Sequence, residues 1–168
     1  MCVYDFFKKM NKHKVFYYVG KIYPKGTSTP KKIKELHHNE LIQRQVDNLD
    51  LSNFRHCYDH DINLEVGRVI KSFTIDNQKY IYGYIVNSTP KGEELIKQIF
   101  NNEFNDLSLY HDYFAGKKNG VLAEWKIFQE VSSVKVGERP DCKIICGILT
   151  EIGAKRYILF LLFILISY

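Results

Sequence analysis

The sequence predicts an α+β fold in which several short strands lie around a couple of helices, as in a small barrel or sandwich with helical additions. Runs rich in β-branched and aromatic residues recur along the chain with turn-forming residues between them, and two segments instead carry apolar residues at approximately helical spacing. The length of 168 residues and the hydrophobic content of 45% fit one globular domain with a real core. The same composition excludes a disordered or low-complexity chain.

The first half of the chain contains three predicted strands and one predicted helical segment. Residues 15–23 are β-branched and aromatic and stop at a Pro-Lys-Gly sequence, which indicates a strand followed by a turn. Residues 31–49 have approximately helical apolar spacing and predict an amphipathic helix or two short ones. Residues 64–75 and 79–86 are further predicted strands, and Asp76-Asn77 supplies a turn between them.

The second half begins with a predicted helix and continues with strands. Pro90 fits the first position of a helix running to Phe100, and two acidic residues follow it where the helix dipole favours them. Residues 106–113 predict a strand, residues 116–120 a turn, and residues 121–136 a further β-rich stretch.

The two ends of the chain differ from its middle. Residues 1–40 contain nine lysines and three acidic residues, which predicts a solvated basic arm, with weak nucleic-acid binding as the alternative. Residues 157–166 are an unbroken apolar run, about half as long as the roughly 20 residues of a membrane-spanning helix. A membrane partner is therefore not expected. The run fits a buried terminal helix or strand, with a tail anchor or an out-of-frame end as alternatives.

The cysteine content and the first residues predict a reducing environment. Four cysteines are too few for a disulfide-stapled chain of this length, and no apolar leader follows Met1. We therefore expect mostly free thiols and no secretory signal.

Three residues far apart in the sequence have the chemistry of a nucleophilic site. His60 lies between two aspartates, Ser108 between two leucines, and Glu130 in a β-rich stretch. A serine hydroxyl becomes a useful nucleophile when a neighbouring base takes its proton, and histidine suits that role near neutral pH. A third group then fixes the tautomer of the histidine ring. Taken singly, each residue has a simpler explanation: a surface turn, a core-edge hydroxyl and the polar side of a strand.

The order and spacing of these residues match a known pattern. His60 precedes Gly67 of a Val-Gly-Arg-Val stretch by seven residues, and Ser108 lies in a Leu-Ser-Leu segment. Glu130 follows 22 residues later in a Phe-Gln-Glu-Val stretch, and Gly-Glu-Arg occupies residues 137–139. In this respect the chain resembles the assemblins, the serine proteases that mature herpesvirus capsids, and it has the same order as tailed-phage prohead proteases. The assemblins carry a second histidine where this chain has glutamate, and Gly-Arg-Arg where it has Gly-Glu-Arg.

The resemblance implies a fold and a set of partners. It implies an α+β fold with a small, mainly antiparallel β-barrel surrounded by a few helices. The protease domain would span residues 15–150, between a basic arm at 1–14 and an apolar tail of uncertain role at 151–168. The implied substrates are the chain's own precursor and the scaffolding protein of a viral capsid, with a homodimer as an oligomeric state and no cofactor. The implied location is the capsid-assembly site in the host cell, which is the nucleus for a herpesvirus-like protein, or the virion.

The resemblance also implies residue roles. Ser108 would be the nucleophile, His60 the base and Glu130 the group that orients His60. The stretch Gly137, Glu138 and Arg139 would stabilise the oxyanion. A carboxylate serves the orienting role at least as well electrostatically as a second histidine, because it carries a full negative charge.

Several alternatives stay open. Glutamates at 130 and 138 would also mark an inactive relative retained for capsid assembly, and the lysine-rich start would suit a nucleic-acid-binding module. Asp106 and His111 are rival partners for His60. A structural zinc site is a further alternative, and its ligands would come from His56, Cys57, His60, Cys142 and Cys146.

Overall fold

A computed structural model describes residues 14–22, 50–76, 78–118, 121–137 and 141–151. These residues form seven strands and one helix. The elements are β1 (Lys14–Ile22), β2 (Arg55–Tyr58), β3 (Asp61–Ile75), β4 (Gln78–Val86), α1 (Pro90–Phe100), β5 (Asp106–Lys118), β6 (Val121–Val134) and β7 (Lys143–Glu151).

The seven strands form a closed barrel in the order β1-β4-β3-β2-β6-β5-β7. The predicted small barrel is therefore confirmed. All neighbouring strands pair antiparallel except β2 and β6, which run parallel. The expectation of a mainly antiparallel barrel surrounded by a few helices is thus only partly right, because the described residues contain one parallel pair and a single helix. A parallel pair needs a long connection, which here includes β3, β4, α1 and β5.

Most predicted elements lie close to their expected positions. Strands β1 and β4 agree with the prediction within one residue at each end, and β3 starts earlier than expected, at Asp61. Helix α1 begins at Pro90, and the Oγ of its N-cap residue Thr89 accepts a hydrogen bond of 3.0 Å from the backbone N–H of Gly92. The capping hydroxyl satisfies one of the free donors at the start of the helix.

Two local predictions are wrong. Strand β2 has only four residues and was not predicted, because so short a segment shows no clear alternation. Gly116–Lys118 lies within β5 instead of in a turn, since cross-strand pairing extends β5 beyond the glycine. The predicted helical segment 31–49, residues 1–13 of the basic arm and residues 152–168 of the tail lie outside the described residues. In the described part of the chain, no helix is long and apolar enough to span a membrane.

Alternation along the strands separates two apolar clusters. Phe16 and Tyr18 of β1 belong to the main core inside the barrel. Residues of the other strands and of α1 belong to this core or pack against it. Val15, Tyr17 and Val19 point the other way and form a second cluster with Tyr82 on the outside of the barrel. Strand β1 therefore packs on both faces, which explains why its sequence is almost continuously apolar.

A buried histidine lies inside the barrel. His56 of β2 is fully buried, and its Nδ1 lies 2.5 Å from Tyr18 Oη while its Nε2 lies 2.9 Å from Ser133 Oγ. Burial lowers the pKa of His56 to about 3, so the ring is neutral at physiological pH. The network ties β2 to β1 on one side and to its parallel partner β6 on the other.

The glycine of the Val-Gly-Arg-Val stretch has a packing role. Gly67 of β3 pairs with His56 of β2 and with Ile85 of β4, and a Cβ at this position would overlap the backbone carbonyl of Tyr84. Glycine therefore permits the close approach of β3 and β4 next to the hairpin that carries His60.

We expect the Gly67→Ala variant to lose about 2 kcal/mol or more of unfolding free energy, because the added methyl group must displace backbone. Urea denaturation followed by circular dichroism measures this loss. Lys71→Ala, an exposed change on the same strand, is the control and should stay within about 0.5 kcal/mol of the wild type. Equal stability of the two variants would contradict the packing role of Gly67.

Acid should destabilise the protein through His56. Its pKa is lower in the folded chain than the ordinary 6.5, so unfolding takes up a proton and stability falls as the pH drops from about 6.5 towards 3. The contribution from His56 between pH 7 and pH 5 is about 2 kcal/mol. Urea unfolding at both pH values should show a smaller acid loss for His56→Gln than for the wild type, although His56→Gln is less stable at pH 7. An unchanged acid loss would show that His56 is not the group responsible.

Candidate active site

The candidate site lies on the outer face of strands β5 and β6. Leu107, Leu109 and Val131 point into the main core, so the residues between them face outward. In the antiparallel register Ser108 pairs with Ser132 and Tyr110 pairs with Glu130. These four side chains therefore share one face of the sheet, and directly opposed side chains on one face have Cβ atoms about 5 Å apart.

His60 reaches this face from a tight hairpin turn. Asp59 and His60 connect β2 to β3, and both have positive φ values, 48° and 62°. Positive φ at both central residues is the requirement of a type I′ hairpin turn, and Asp and His tolerate it better than most residues. His60 therefore lies in a turn, and the orientations of Asp59 and Asp61 follow from that turn.

The turn is attached to β6 by two hydrogen bonds. The backbone N–H of Asp59 donates to the carbonyl oxygen of Ser133 at 3.0 Å. The backbone N–H of His60 donates to Ser132 Oγ at 3.1 Å. These bonds continue the parallel pairing of β2 with β6 and hold His60 over the outer face.

The structure brings His60 and Glu130 together. Nδ1 of His60 lies 2.8 Å from Oε1 of Glu130, which is the length of a charge-assisted hydrogen bond. The Glu130 side chain is 1% exposed, whereas the His60 side chain is 35% exposed. A buried carboxylate thus supports a ring that remains open to solvent.

Two further side chains surround the Glu130 carboxylate. Ser132 Oγ–H donates to Oε2 of Glu130 at 2.5 Å, and Ser132 is itself fully buried. Cys57 pairs with Ser132 in the parallel ladder and is fully buried. The pKa of the Cys57 thiol is raised to about 12, mainly by burial. The charge of Glu130 and a hydrogen bond between Cys57 and Glu130 add to the rise. Cys57 is therefore protonated and unreactive at neutral pH.

A β-bulge places Glu130 at this position. Tyr110 pairs with Glu130, but the next residue, His111, pairs with Phe128, so Gln129 is an extra residue in β6. Bulges redirect side chains and are common beside active sites. Without the extra residue, the side chains on one side of this point would change faces.

The carboxylate also changes the protonation of His60. The hydrogen bond to Glu130 raises the pKa of His60 above its ordinary 6.5, while partial burial opposes the rise. Since the folded protein holds the His60 proton more tightly than the unfolded chain, this pair stabilises the fold fully below pH 6.5. That contribution is lost as the pH rises through the folded pKa.

Ser108 lies next to this pair through strand register. It is half-buried and is the direct cross-strand neighbour of Ser132, which touches both His60 and Glu130. Among the hydrogen bonds of the described residues, none joins Ser108 to the His60 ring. Hydrogen bonds of catalytic groups commonly tighten only with substrate in place, so a looser arrangement is compatible with a nucleophile and its base.

The loop after β6 shows one part of the predicted oxyanion stretch. The backbone N–H of Gly137 donates to Asp106 Oδ2 at 2.8 Å. In this arrangement the Gly137 N–H is not available as a donor to an oxyanion. Glu138 and Arg139 lie outside the described residues. Asp106, the rival partner for His60, therefore binds this loop. The hydrogen bond of the His60 ring is with Glu130. The side chain of His111 is not among those described.

The alternative zinc site is not assembled by the described residues. No group of three or more His, Cys, Asp or Glu side chains in this part of the chain has a metal-binding arrangement. Both ring nitrogens of His56 are hydrogen-bonded to other side chains. Cys142 belongs to the main core, as expected for a buried structural cysteine.

Sequence reasoning did not predict Ser132 or Tyr110 at this site, and it named Cys57 only as a possible zinc ligand. Ser132 could have been found from the strand period, because it lies two residues after Glu130 and so shares its face. Cys57 and Tyr110 come close to the site only through strand pairing. The Tyr110 ring, whose centroid is 6.0 Å from that of His60, is 41% exposed beside it.

The fold is similar to that of a herpesvirus protease. The crystal structure of the Kaposi's sarcoma-associated herpesvirus protease in complex with a hexapeptide phosphonate inhibitor matches with a TM-score of 0.51 and 19% identity. The match covers 82% of this chain and 65% of that chain, so this chain spans less than two thirds of its length. A room-temperature structure of the same viral protease with an allosteric inhibitor matches with a TM-score of 0.43 and 17% identity, over 83% of this chain and 76% of that one.

No protein-family model matches the sequence, and comparison with curated proteins found no match. The structural similarity shows that the chain has the fold of the herpesvirus protease. The resemblance to assemblins predicted from the sequence is confirmed at this level.

The pKa of His60 tests the geometry of the pair. We expect Glu130→Gln to lower the pKa of His60, because the neutral amide no longer stabilises the imidazolium and the cost of burial remains. An NMR titration of the His60 ring measures this shift. Asp59→Asn is the control, since the Asp59 charge makes the smallest contribution to the pKa of His60. Equal shifts in the two variants would contradict the special role of Glu130.

Proposed function

We propose that this chain is a serine endopeptidase of assemblin type, which cleaves its own precursor and the scaffolding protein of a viral capsid. The observation that carries the proposal is the hydrogen bond between His60 Nδ1 and the buried Glu130 carboxylate, on the face that also carries Ser108. The similarity to the herpesvirus protease fold supports the same class of activity, and it is an observation separate from these side chains.

The acylation step follows from the position of the carboxylate. With Nδ1–H donated to Glu130, the neutral His60 ring has its lone pair on Nε2, which is the atom that accepts the Ser108 proton. Ser108 Oγ then forms a bond to the peptide carbonyl carbon. As the tetrahedral intermediate collapses, the carbon–nitrogen bond breaks and the His60 proton passes to the leaving amine. The Glu130 carboxylate stabilises the imidazolium between these two transfers.

The second half of the reaction uses the same groups. Water gives a proton to His60 Nε2 and adds to the ester carbonyl, and the proton returns to Ser108 Oγ as the ester bond breaks. We assign oxyanion stabilisation to the backbone N–H of Glu138 and to the Arg139 side chain, because the Gly137 N–H is donated to Asp106. Any residue except proline supplies a backbone N–H, so glutamate at position 138 is compatible with this role.

A phosphonate probe is the natural test of the nucleophile. The herpesvirus protease of similar fold was crystallised with a hexapeptide phosphonate inhibitor, and a phosphonate ester presents a tetrahedral phosphorus to an activated serine oxygen. The proposal extends this reactivity to Ser108.

We expect a fluorophosphonate or peptidyl phosphonate to label Ser108 in the folded wild-type chain, with the site identified by mass spectrometry. Ser108→Ala should abolish labelling, and His60→Ala should slow it by about 10²–10⁴-fold, the usual range for a general base. Ser88→Ala, a change of an exposed serine outside the site, should label at the wild-type rate.

The same measurement separates the alternatives. An inactive relative would remain unlabelled although folded, and that result would refute the proposal. Labelling rates measured over a range of protein concentrations test the homodimer that the resemblance to assemblins implies, because an activity that requires assembly rises with concentration. A rate that is constant per chain would refute the requirement for a dimer but leave the peptidase assignment intact.

A further inference from the structure

Ser132 occupies the centre of the buried polar group beneath His60. Its hydroxyl donates to Oε2 of Glu130 at 2.5 Å and accepts from the backbone N–H of His60 at 3.1 Å. The residue is fully buried, so these two bonds replace the hydrogen bonds that it would make with water. One bond therefore connects Ser132 to Glu130 and the other connects it to His60, the two residues of the candidate catalytic pair.

The two oxygens of the Glu130 carboxylate are divided between different donors. Oε1 accepts from His60 and Oε2 accepts from Ser132. A carboxylate held at both oxygens has a fixed plane, so the direction of its bond to His60 Nδ1 is also fixed. Without Ser132, the carboxylate would keep His60 at Oε1 and the thiol of Cys57, which is a weak donor. It would then rotate more freely about its terminal torsion, which is a soft one.

The hydroxyl also holds the backbone of the residue whose ring it supports. His60 has a φ of 62°, a region that costs a non-glycine residue about 1–3 kcal/mol unless its surroundings enforce it. The bond from the His60 N–H to Ser132 is one of the two bonds that attach this turn to β6. Ser132 therefore constrains His60 at the backbone directly and at the ring through Glu130.

We propose that Ser132 is a positioning residue of the peptidase, which fixes the Glu130 carboxylate and the His60 turn so that Nδ1 stays protonated and Nε2 stays available to Ser108. The proposal rests on the function proposed above and deepens it. Its basis is the pair of hydrogen bonds from one buried hydroxyl to Glu130 and to His60. Ser132 is fully buried and is therefore not the nucleophile.

The neighbouring serine provides a matched control. Ser133 is also fully buried, but it faces the barrel interior, where its Oγ lies 2.9 Å from His56 Nε2. Ser132→Ala and Ser133→Ala therefore remove the same atom from adjacent buried positions on opposite faces of β6. A purely structural effect would appear in both variants.

Two measurements on the full chain test the role of Ser132. The first is the rate constant for phosphonate labelling of Ser108, measured with the binding constant of the probe. We expect Ser132→Ala to lower the rate about tenfold with unchanged binding, because a hydrogen bond to a charged group is lost. The second is the proton NMR resonance of the His60 Nδ1–H, assigned by its absence in His60→Ala. This resonance should broaden by exchange with water in Ser132→Ala.

The other variants keep the test informative if Ser132→Ala folds poorly. Ser132→Cys retains the volume but donates weakly, so it should behave like Ser132→Ala. Ser132→Thr keeps the hydroxyl and should restore both the rate and the resonance. Ser133→Ala should lower the unfolding free energy while leaving the rate and the resonance as in the wild type.

A sharp His60 Nδ1–H resonance and a labelling rate within twofold of the wild type in both Ser132→Ala and Ser132→Cys would overturn the proposal. Equal losses in the Ser133→Ala control would also overturn it, because the effect would then be structural. Failure of the peptidase assignment looks different. In that case the wild type is not labelled at all, and the resonance alone decides whether Ser132 positions the pair.

Discussion

The parallel pairing of β2 with β6 is the constraint on which the candidate site depends. Strand β2 is only four residues long, but it places the Asp59-His60 turn against β6, where the turn binds Ser133 and Ser132 through its backbone. His60 then meets Glu130 across the pair of strands. Because the connection between β2 and β6 passes through four other elements, the site forms only when the barrel closes.

Strand β6 serves two polar networks, one on each face. On the inner face Ser133 binds His56, which in turn binds Tyr18 in the barrel core. On the outer face Ser132 binds Glu130, which binds His60. Satisfied buried networks give rigidity, and unsatisfied ones are costly. The two networks thus fix β2 on β6 from both sides, which suits a site whose base lies in a two-residue turn.

The electrostatic properties of the two histidines differ because their surroundings differ. His56 is enclosed by the core, and burial lowers its pKa, whereas His60 is partly open to solvent and its buried carboxylate partner raises its pKa. Of these two described histidines, only His60 combines exposure to solvent with a charged partner, which are two properties that suit a general base. This difference is the reason that the proposed function uses His60 as the base, whereas His56 belongs to the polar network of the barrel core.

The sequence by itself determined the β-branched and aromatic runs of β1 and β4, the start of helix α1, and the spacing of His60, Gly67, Ser108 and Glu130, because these depend on local propensity and on matching a motif. It did not reveal β2, its parallel pairing, or the bulge at Gln129, since each arises from contacts between distant segments. Tertiary structure alone therefore decided that His60 lies in a positive-φ turn, that Glu130 is buried beneath it, and that Ser132 joins the two. Hydrogen bonds between strands far apart in the chain fix these features, and no local pattern encodes them.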